Sequence, residues 1–316
     1  MEYITFDSEI VEKKAKLEVK KLPDSESFFV KVGRCNFLTP EGAQKISKIR
    51  IYSSDFTNND LSDLQYFVNL KTLDIRSFGL TDLQNAPLLE KLEHLSISVG
   101  NQVIDLTDLA KFPNLKSLEM GDIKNLQSLS NLKKLQTINL STSGISDISC
   151  LSKLHSIKYL ALDGNEIKDL SPLAGLGKLK ELRLNGNRIS DLTPLSGLKN
   201  IKTLSLHNNQ ISDISPLSEL DSLEKIYLGE NKIQDISALS NCKHLRAIEL
   251  FGNPLLSVEP LLRLEHLESI ATDTGKIYEP LFSKFEKRTG IRTNGYVSSV
   301  RKEYKYWGFS KKSVKP

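Results

Sequence analysis

Leu182 to Ile201 reads LRLNGNRISDLTPLSGLKNI, and this stretch decides the fold because the chain keeps repeating it. A shift of 22 residues towards the C-terminus gives LSLHNNQISDISPLSELDSL from Leu204, and a second shift gives IYLGENKIQDISALSNCKHL from Ile226. A shift towards the N-terminus gives LALDGNEIKDLSPLAGLGKL from Leu160. A fixed period of this length indicates a solenoid, in which similar coils stack and share one core.

Two spacings of apolar residues within one copy predict two kinds of local structure. Leu182 and Leu184 are separated by one residue, so they lie on one face of a short strand. Leu192, Leu195 and Leu198 recur every third residue, which is typical of a 3₁₀ turn or a tight helical turn. Each copy is therefore predicted to be a strand, a turn and a helical return.

Two polar columns accompany the leucines. Buried amides need partners, so an asparagine column can bond to loop backbone groups of its own and adjacent coils. An aspartate column lies just before each helical turn and is predicted to cap it, with a proline just inside its start. The columns are Asn165, Asn187, Asn209, Asn231 and Asn253, then Asp169, Asp191, Asp213 and Asp235, with Pro172, Pro194 and Pro216. A regular column of carboxylates favours this structural role over catalysis.

The pattern L-x-L-x-x-N-x-I-x-D-[IL]-x-P-L-x-x-L resembles the 22-residue leucine-rich repeat, in the subtype of the type-1 phosphatase regulatory subunit and of bacterial internalins. The resemblance implies an α/β solenoid, a curved horseshoe of about ten coils that is capped at both ends. It implies a parallel β-sheet on the concave side and 3₁₀ or short helical segments on the convex side. It points to binding, with phosphatase control as one special form.

Three regions are predicted. Residues 1–48 do not repeat and are interpreted as an N-terminal cap, because end coils of a solenoid need a cover. Lys16–Lys20 alternates, Leu22–Ser27 supplies turn residues and Phe28–Val32 is apolar, which indicates a β-hairpin. The repeats occupy 49–275, and 276–316 forms a C-terminal cap and a basic, aromatic tail.

The early coils are less regular than the later ones. The strands that start at Leu73, Leu95, Leu118 and Ile138 are separated by 22, 23 and 20 residues. Here the asparagine column is replaced, at Phe78, Gly100, Ile123 and Ser143. Looser or differently curved coils are one expectation, and divergence without consequence is the other.

The C-terminal region is strongly basic. Residues 276–316 contain 11 Lys+Arg and 3 Asp+Glu, a net charge of +8, so residues 1–275 carry −4 of the chain's total of +4. Spacings of three and four predict an amphipathic cap helix through Tyr278, Leu281, Phe282 and Phe285. Basic and aromatic residues alternate in Arg301–Ser310, which leaves open an accessory site for nucleic acid or an anionic membrane.

Composition and motifs narrow the class of protein. No apolar run reaches the length of a secretory or membrane-spanning segment, so a cytoplasmic location is expected. Cys35, Cys150 and Cys242 are odd in number and lack a C-x-x-C, so Cys150 and Cys242 are predicted to pack structurally. No catalytic, phosphate-binding or dinucleotide motif occurs. We expect a monomeric, non-enzymatic protein without metal or cofactor.

The candidate site is the solvent-facing side of the strands in the later coils. Side chains beside the strand leucines point away from the core, and across five coils they form a patch roughly 20 Å wide. The predicted partner-binding residues are Tyr159, Asp163, Glu181, Arg183, His207, Lys225, Tyr227, Glu249 and Phe251. Tyrosine and arginine are enriched in interface hot spots. A solvated face is the alternative, since aromatic residues favour strands anyway.

His207 is not expected to form a catalytic pair. Asp163 and Glu249 lie two coils away, about 10 Å by strand spacing, beyond hydrogen-bond reach. The sequence therefore predicts a scaffold that binds an unidentified protein on its concave face and regulates or neutralises it. The alternative is binding of nucleic acid or membrane through the tail.

Overall fold

The body of the protein is a stack of coils, each of which contributes one strand to a single parallel sheet. The computed structural model describes residues 2–100 and 102–272, so the predicted C-terminal cap and tail at 276–316 lie outside the described residues. Within the described part, this sheet has eleven strands, against the ten or so coils that were expected. The predicted α/β solenoid is confirmed.

The elements follow one another in a simple order. Helix α1 (Glu9–Val19) precedes strands β1 (Phe29–Val32) and β2 (Cys35–Leu38) and helix α2 (Pro40–Gln44). The later strands are β3 (Lys48–Tyr52), β4 (Thr72–Arg76), β5 (His94–Ser98), β6 (Ile104–Asp105), β7 (Ser117–Met120), β8 (Ile123–Lys124), β9 (Thr137–Asn139), β10 (Tyr159–Ala161), β11 (Glu181–Arg183), β12 (Thr203–Ser205), β13 (Lys225–Tyr227), β14 (Ala247–Glu249) and β15 (Ser269–Ala271). Strand β3 lies at one edge of the main sheet and β15 at the other, and β6 and β8 pair with each other instead.

Short 3₁₀ segments return the chain between strands, as predicted. They span Ser25–Phe28, Asn58–Tyr66, Thr107–Lys111, Leu126–Asn131, Ser149–Lys153, Ser171–Leu173, Thr193–Leu195, Ser215–Glu219, Ser237–Asn241 and Glu259–Arg263. A proline lies at the start of several of them, including Pro172, Pro194 and Pro216. No helix in the described ranges is long and apolar enough to cross a membrane.

The strand leucines are stacked in register and fully buried. Leu160 pairs with Leu182 on one side and with Ile138 on the other. The irregular spacings do not break this order, because Leu118 pairs with Leu95 and Ile138. The extra and missing residues are absorbed outside the sheet, where β6 and β8 form a second parallel ladder. Burial of each leucine contributes roughly 1.5–3 kcal/mol, and stacking supplies that burial.

The asparagines of the regular coils are buried and bonded to backbone. The Oδ1 of Asn187 accepts the N–H of Ile167 at 3.0 Å, and its amide donates to the carbonyls of Leu162 at 2.9 Å and Leu184 at 3.0 Å. Two of these partners belong to the preceding coil. The same three bonds recur at Asn165, Asn209, Asn231 and Asn253. The predicted ladder is confirmed.

The aspartates lie one residue before the N-cap positions of the 3₁₀ segments, not at the N-cap positions themselves. Asp169 accepts the N–H of Ser171 at 2.8 Å, but the N-cap position itself is Leu170. The aspartate therefore forms an Asx turn rather than a helix cap. The same contact recurs from Asp191 to Thr193, from Asp213 to Ser215 and from Asp235 to Ser237. At Asp191, the hydroxyl and backbone N–H of Thr193 stabilise the charged form and lower the pKa of the carboxyl.

One irregular coil lacks the asparagine, and a different buried side chain bonds the backbone there. Phe78 occupies the asparagine position, yet its side chain is 66% exposed. The preceding Ser77 is buried instead; its hydroxyl donates to the carbonyl of Phe56 and accepts the N–H of Gly79. A serine one residue earlier thus bonds the backbone of the preceding coil, and the aromatic ring turns outward.

The hairpin of the N-terminal segment lies later than predicted. Strand β1 pairs with β2 across a turn at Gly33, which has a φ of +64°. Lys16–Lys20, predicted as a strand, instead lies at the end of α1, so that prediction is wrong. Its apparent alternation belongs to a helical period, because Val11, Ala15 and Val19 are buried at spacings of four.

Local interactions at the helix start explain the difference. The Ser8 hydroxyl accepts the N–H of Val11 at 3.3 Å, and Glu12 pairs with Lys16 at 2.6 Å. Both stabilise an isolated helical turn. The fully buried carboxylate of Asp63 accepts the N–H groups of Asp7 at 3.2 Å and Ser8 at 2.6 Å. This carboxylate holds the start of α1 against the first coil. The division at residue 48 stays a prediction.

The two repeat cysteines pack as expected. Cys150 and Cys242 are buried, and burial raises the pKa of each thiol to about 11. Both therefore stay protonated and act as small apolar residues. Cys35 is exposed in β2.

We predict that Asn209→Ala lowers the free energy of unfolding by roughly 1–3 kcal/mol, because it leaves buried backbone groups of two coils without partners. Denaturant unfolding measures the change. Gln210→Ala, at the exposed neighbouring position, is the control and should change stability by less than about 0.5 kcal/mol. An equal effect of both substitutions would contradict the role given to the ladder.

Candidate partner-binding face

Three columns of side chains line the solvent side of the sheet in the later coils. The first column holds Tyr159, Glu181 and Lys225, the second holds Arg183, Tyr227 and Glu249, and the third holds Asp163, His207 and Phe251. The nine predicted residues therefore lie on one face, because side chains two residues apart point the same way. Their exposure differs widely, since Tyr159 is 44% exposed and Glu249 only 4%.

Arg183 is fixed by an ion pair while its side chain stays accessible. Its Nε and one terminal nitrogen both lie 3.0 Å from the Oδ2 of Asp163 in the preceding coil. The other carboxylate oxygen accepts the N–H of Asn185 at 2.8 Å. Since the Arg183 side chain remains 46% exposed, the pair holds a guanidinium in place at the surface.

Asn185 connects this pair to the next coil. Its side-chain oxygen accepts the backbone N–H of His207 at 2.9 Å. Asp163 and His207, which lie two coils apart, are thus joined through Asn185. Asn185 was not among the predicted partner-binding residues.

His207, Glu249 and Phe251 come together above Gly229. The Nδ1 of His207 lies 3.7 Å from the Oε1 of Glu249, and the rings of His207 and Phe251 are 5.3 Å apart. The separation of about 10 Å expected from strand spacing is therefore wrong for Glu249, although 3.7 Å is still longer than a hydrogen bond. The reason is the missing side chain between them, since a Cβ on Gly229 would lie 2.8 Å from this Nδ1 and 3.0 Å from this Oε1.

Burial changes the charge behaviour of this cluster. Glu249 is 4% exposed, and burial first and the charge of Glu230 second raise the pKa of its carboxyl to about 7. The Nδ1 of His207 is buried and makes no hydrogen bond within the described part of the chain. A carboxyl that titrates near neutral pH therefore lies beside an imidazole nitrogen without a hydrogen-bond partner.

Glu230 adds a second carboxylate that the sequence analysis missed. Its Oε2 lies 3.7 Å from the Nε2 of His207. Glu230 adopts a φ of +53°, where Gly164, Gly186 and Gly252 stand in equivalent turns. A charged residue in this left-handed conformation is uncommon, and the repeat column of glycines is the signal that could have found it.

A further cluster, on the first two coils, was also missed. Tyr52 donates its hydroxyl to the Oδ2 of Asp74 at 2.6 Å, and the guanidinium of Arg76 lies 4.9 Å from the centre of the Tyr52 ring. Arg50 approaches the same carboxylate at 3.9 Å. The sequence analysis placed its candidate site in the later coils only, whereas Arg50 and Tyr52 pair with Asp74 and Arg76 at the start of the same sheet.

The chemistry of the face suits binding by charge and aromatic contact. Residues 2–100 and 102–272 contain no group of three or more histidine, cysteine or acidic side chains that could hold a metal ion. The cluster at His207 supplies rings and carboxylates, and the pair at Arg183 supplies a fixed guanidinium. Such groups bury much area at a modest entropic cost when a partner docks.

Comparison with known sequences and structures identifies the repeats. A sequence profile for Leucine Rich repeats (2 copies) matches residues 177–219. An internalin (InlF) of Listeria monocytogenes superposes with a TM-score of 0.71 and 25% identity, covering 86% of this chain and 77% of that chain. The sequence-based prediction of a leucine-rich repeat protein is confirmed.

Two more distant structures share the fold. InlP of Listeria monocytogenes has 15% identity and a TM-score of 0.62, over 78% of this chain and 70% of that chain. The plant peptide hormone receptor RGFR1, solved in complex with RGF2, has 18% identity and a TM-score of 0.58, over 75% of this chain and 42% of that chain.

We predict that Glu249→Gln stabilises the protein at high pH relative to low pH. A raised acid pKa means that the folded chain keeps a proton that the unfolded chain loses above pH 4.5. The resulting destabilisation is absent well below pH 4.5, grows up to pH 7 and is complete above it. The substitution removes it, so its gain over the wild type should rise between pH 5 and 8, by at most about 3 kcal/mol.

Denaturant unfolding at several pH values tests this expectation. Glu166→Gln is the control, because Glu166 is half exposed in an ion pair with Arg188. Its difference from the wild type over the same pH range gives the baseline against which the Glu249→Gln profile is compared. A flat difference for Glu249→Gln against this baseline would mean that its carboxyl titrates normally.

Proposed function

The chain is a leucine-rich repeat protein with an internalin-type solenoid, and from this premise we propose that its concave face binds a partner protein without catalysing a reaction on it. The proposed site is the face formed by the coils from Tyr159 to Phe251. The partner is held by side chains on the strands, and its own active surface is covered as a result. We propose that this covering regulates or neutralises the partner.

The ion pair at Arg183 is the observation that carries the proposal. Arginine is costly to immobilise in an interface, because its long side chain loses rotamer freedom. Here Asp163 already holds the guanidinium at 3.0 Å before any partner is bound, while the side chain stays 46% exposed. An arginine held in this way supports binding more than it supports the fold, since an exposed ion pair contributes only about 0–1 kcal/mol to stability.

The aromatic residues support the same proposal. Tyr159 is 44% exposed on the first of these coils, and Phe251 packs its ring beside His207 on the last. Tyr159 stands on β10, and Phe251 lies two residues after β14, where its carbonyl accepts the N–H of Glu230. A docking partner therefore meets side chains whose backbone is already hydrogen-bonded.

Other parts of the proposal are less specific. Control of a phosphatase is a special case that rests on the resemblance of the repeats alone. A monomeric state and a cytoplasmic location are kept as proposals. The receptor RGFR1 was solved with RGF2 bound, which illustrates that this fold presents ligand-binding surfaces in another protein.

We predict that the double substitution Arg183→Ala with Tyr227→Ala abolishes capture of the partner while thermal stability stays nearly unchanged. The measurement is affinity capture from a native cell lysate, followed by identification of the retained proteins. Affinity for any protein retained by the wild type alone should fall at least tenfold, which corresponds to about 1.4 kcal/mol or more.

The matched control changes one arginine and one exposed tyrosine away from the face. Arg188 pairs with Glu166, and Tyr3 is 44% exposed on the N-terminal segment. Arg188→Ala with Tyr3→Ala should retain capture. If the face variant loses stability and capture together, its residues are structural. If all variants recover the same nucleic acid or lipid, binding belongs to the basic tail.

A further inference from the structure

The first two coils carry an exposed cluster of arginine and aromatic residues on the same side of the sheet. The Tyr52 ring is 48% exposed, and the Arg50 side chain beside it is 55% exposed. Phe78, two residues beyond Arg76, is 66% exposed and lies against Gly100 of the next coil. Arginine and large aromatic residues are the types that dominate interface hot spots.

The charge of this cluster is unbalanced. Among the face positions of β3 and β4, Lys48, Arg50 and Arg76 are basic, and Asp74 is the acidic one. Asp74 is already engaged by the Tyr52 hydroxyl at 2.6 Å and approached by Arg50 at 3.9 Å. Neither Lys48 nor Arg76 forms an ion pair with a residue in the described ranges. Together with Lys48 and Asp74, the cluster therefore has a surplus of two positive charges.

Arg76 is held in place without using a carboxylate. Its guanidinium lies over the Tyr52 ring at 4.9 Å, and Asp74 fixes the hydroxyl of that ring. A contact through the face of an aromatic ring leaves the in-plane N–H donors of the guanidinium available. Those donors match a carboxylate in a two-point contact. Tyr52 thus fixes the position of Arg76, as Asp163 fixes the position of Arg183. The positive charge of Arg76, however, is not compensated by an ion pair.

At the other end of the face, acidic side chains outnumber basic ones. Asp163, Glu181, Glu230 and Glu249 lie there beside Arg183 and Lys225, and β13 is roughly 38 Å along the sheet from β3 by strand spacing. The coils between carry mostly small side chains, at Ser96, Ser98, Ser117, Gly121, Thr137 and Ser141, together with the exposed Glu119. The face therefore has an excess of basic side chains at one end and of acidic side chains at the other.

We infer that the cluster of Arg50, Tyr52, Arg76 and Phe78 is a second anchor that binds an acidic, extended segment of the protein partner. This inference rests on the proposed function, because it takes the partner to be a protein that lies along the concave face. Carboxylates of the segment pair with Arg76 and Arg50, and an aromatic or aliphatic side chain packs on Phe78. The partner is thereby oriented, with its acidic part over β3 and β4.

Fluorescence anisotropy with labelled probes tests the anchor. The probes are a decapeptide of alternating glutamate and tyrosine, its lysine and tyrosine counterpart, and a single-stranded oligonucleotide. The full chain should bind the acidic peptide at least tenfold more tightly than the basic one, and added salt should weaken that binding. Tighter binding of the oligonucleotide than of the acidic peptide would overturn the inference.

Three variants locate the binding. Arg50→Ala with Arg76→Ala should weaken binding of the acidic peptide at least tenfold. Arg76→Lys keeps the charge but loses the planar donors, so it should weaken that binding less. Arg246→Ala is the control, because Arg246 already pairs with Glu268 at 2.7 Å. Unchanged binding in the double variant, or equal losses in it and the control, would overturn the anchor.

The test separates this inference from the proposed function. If the wild type captures a protein through Arg183 and Tyr227 but ignores the acidic peptide, the anchor is wrong and the concave site stands. If the acidic peptide binds through Arg50 and Arg76 while the Arg183 and Tyr227 variant still captures its protein, the anchor stands and the site in the later coils is wrong.

Discussion

The structure depends on one repeated interaction, the hydrogen bonds between a buried asparagine and the backbone of two successive coils. A solenoid turns its chain sharply once in every repeat, and each turn leaves backbone donors and acceptors facing the core. Asn187 pairs one N–H and one carbonyl of the preceding coil and one carbonyl of its own. Because a buried group without a partner costs about 1–3 kcal/mol, this arrangement fixes the turn and with it the period. In the regular coils the turn is therefore the same each time, and the leucines stack in register beside it.

This fixed backbone separates the side chains that make the fold from those that face the solvent. Arg183, Ser205 and Tyr227 occupy equivalent positions on paired strands, although they share no chemistry. The side chains on this face take no part in the asparagine ladder or the leucine core, so they can differ from coil to coil. Gly229 shows the effect, since the absence of one side chain lets groups from two coils apart approach to 3.7 Å. The pair at Arg183 and the cluster at Tyr52 are two solutions to holding an arginine on such a surface.

The sequence predicted the fold well because the fold is made of features that recur. Each leucine and asparagine position was seen several times, so a local ambiguity in one copy was resolved by the others. The segment 16–20 has no second copy in the chain. A pattern of five residues is too short to distinguish the period of a strand from that of a helix. Ser77 was missed for the same reason, since its role is taken by an asparagine elsewhere. The contacts of the candidate site were harder to predict. They depend on the absence of a side chain in the intervening coil, at Gly229, and on the burial of Glu249.

The asparagine bonds also have a direction. Asn187 completes the turn of the coil before it, through the N–H of Ile167 and the carbonyl of Leu162, and that coil's own asparagine does the same one step earlier. A ribosome releases the chain from its N-terminus. The newest coil of a growing solenoid therefore has an unfinished turn until about one further repeat has emerged, while every coil behind it is already closed. The protein can thus be assembled coil by coil as it is synthesised, with the unsatisfied backbone confined to its growing end.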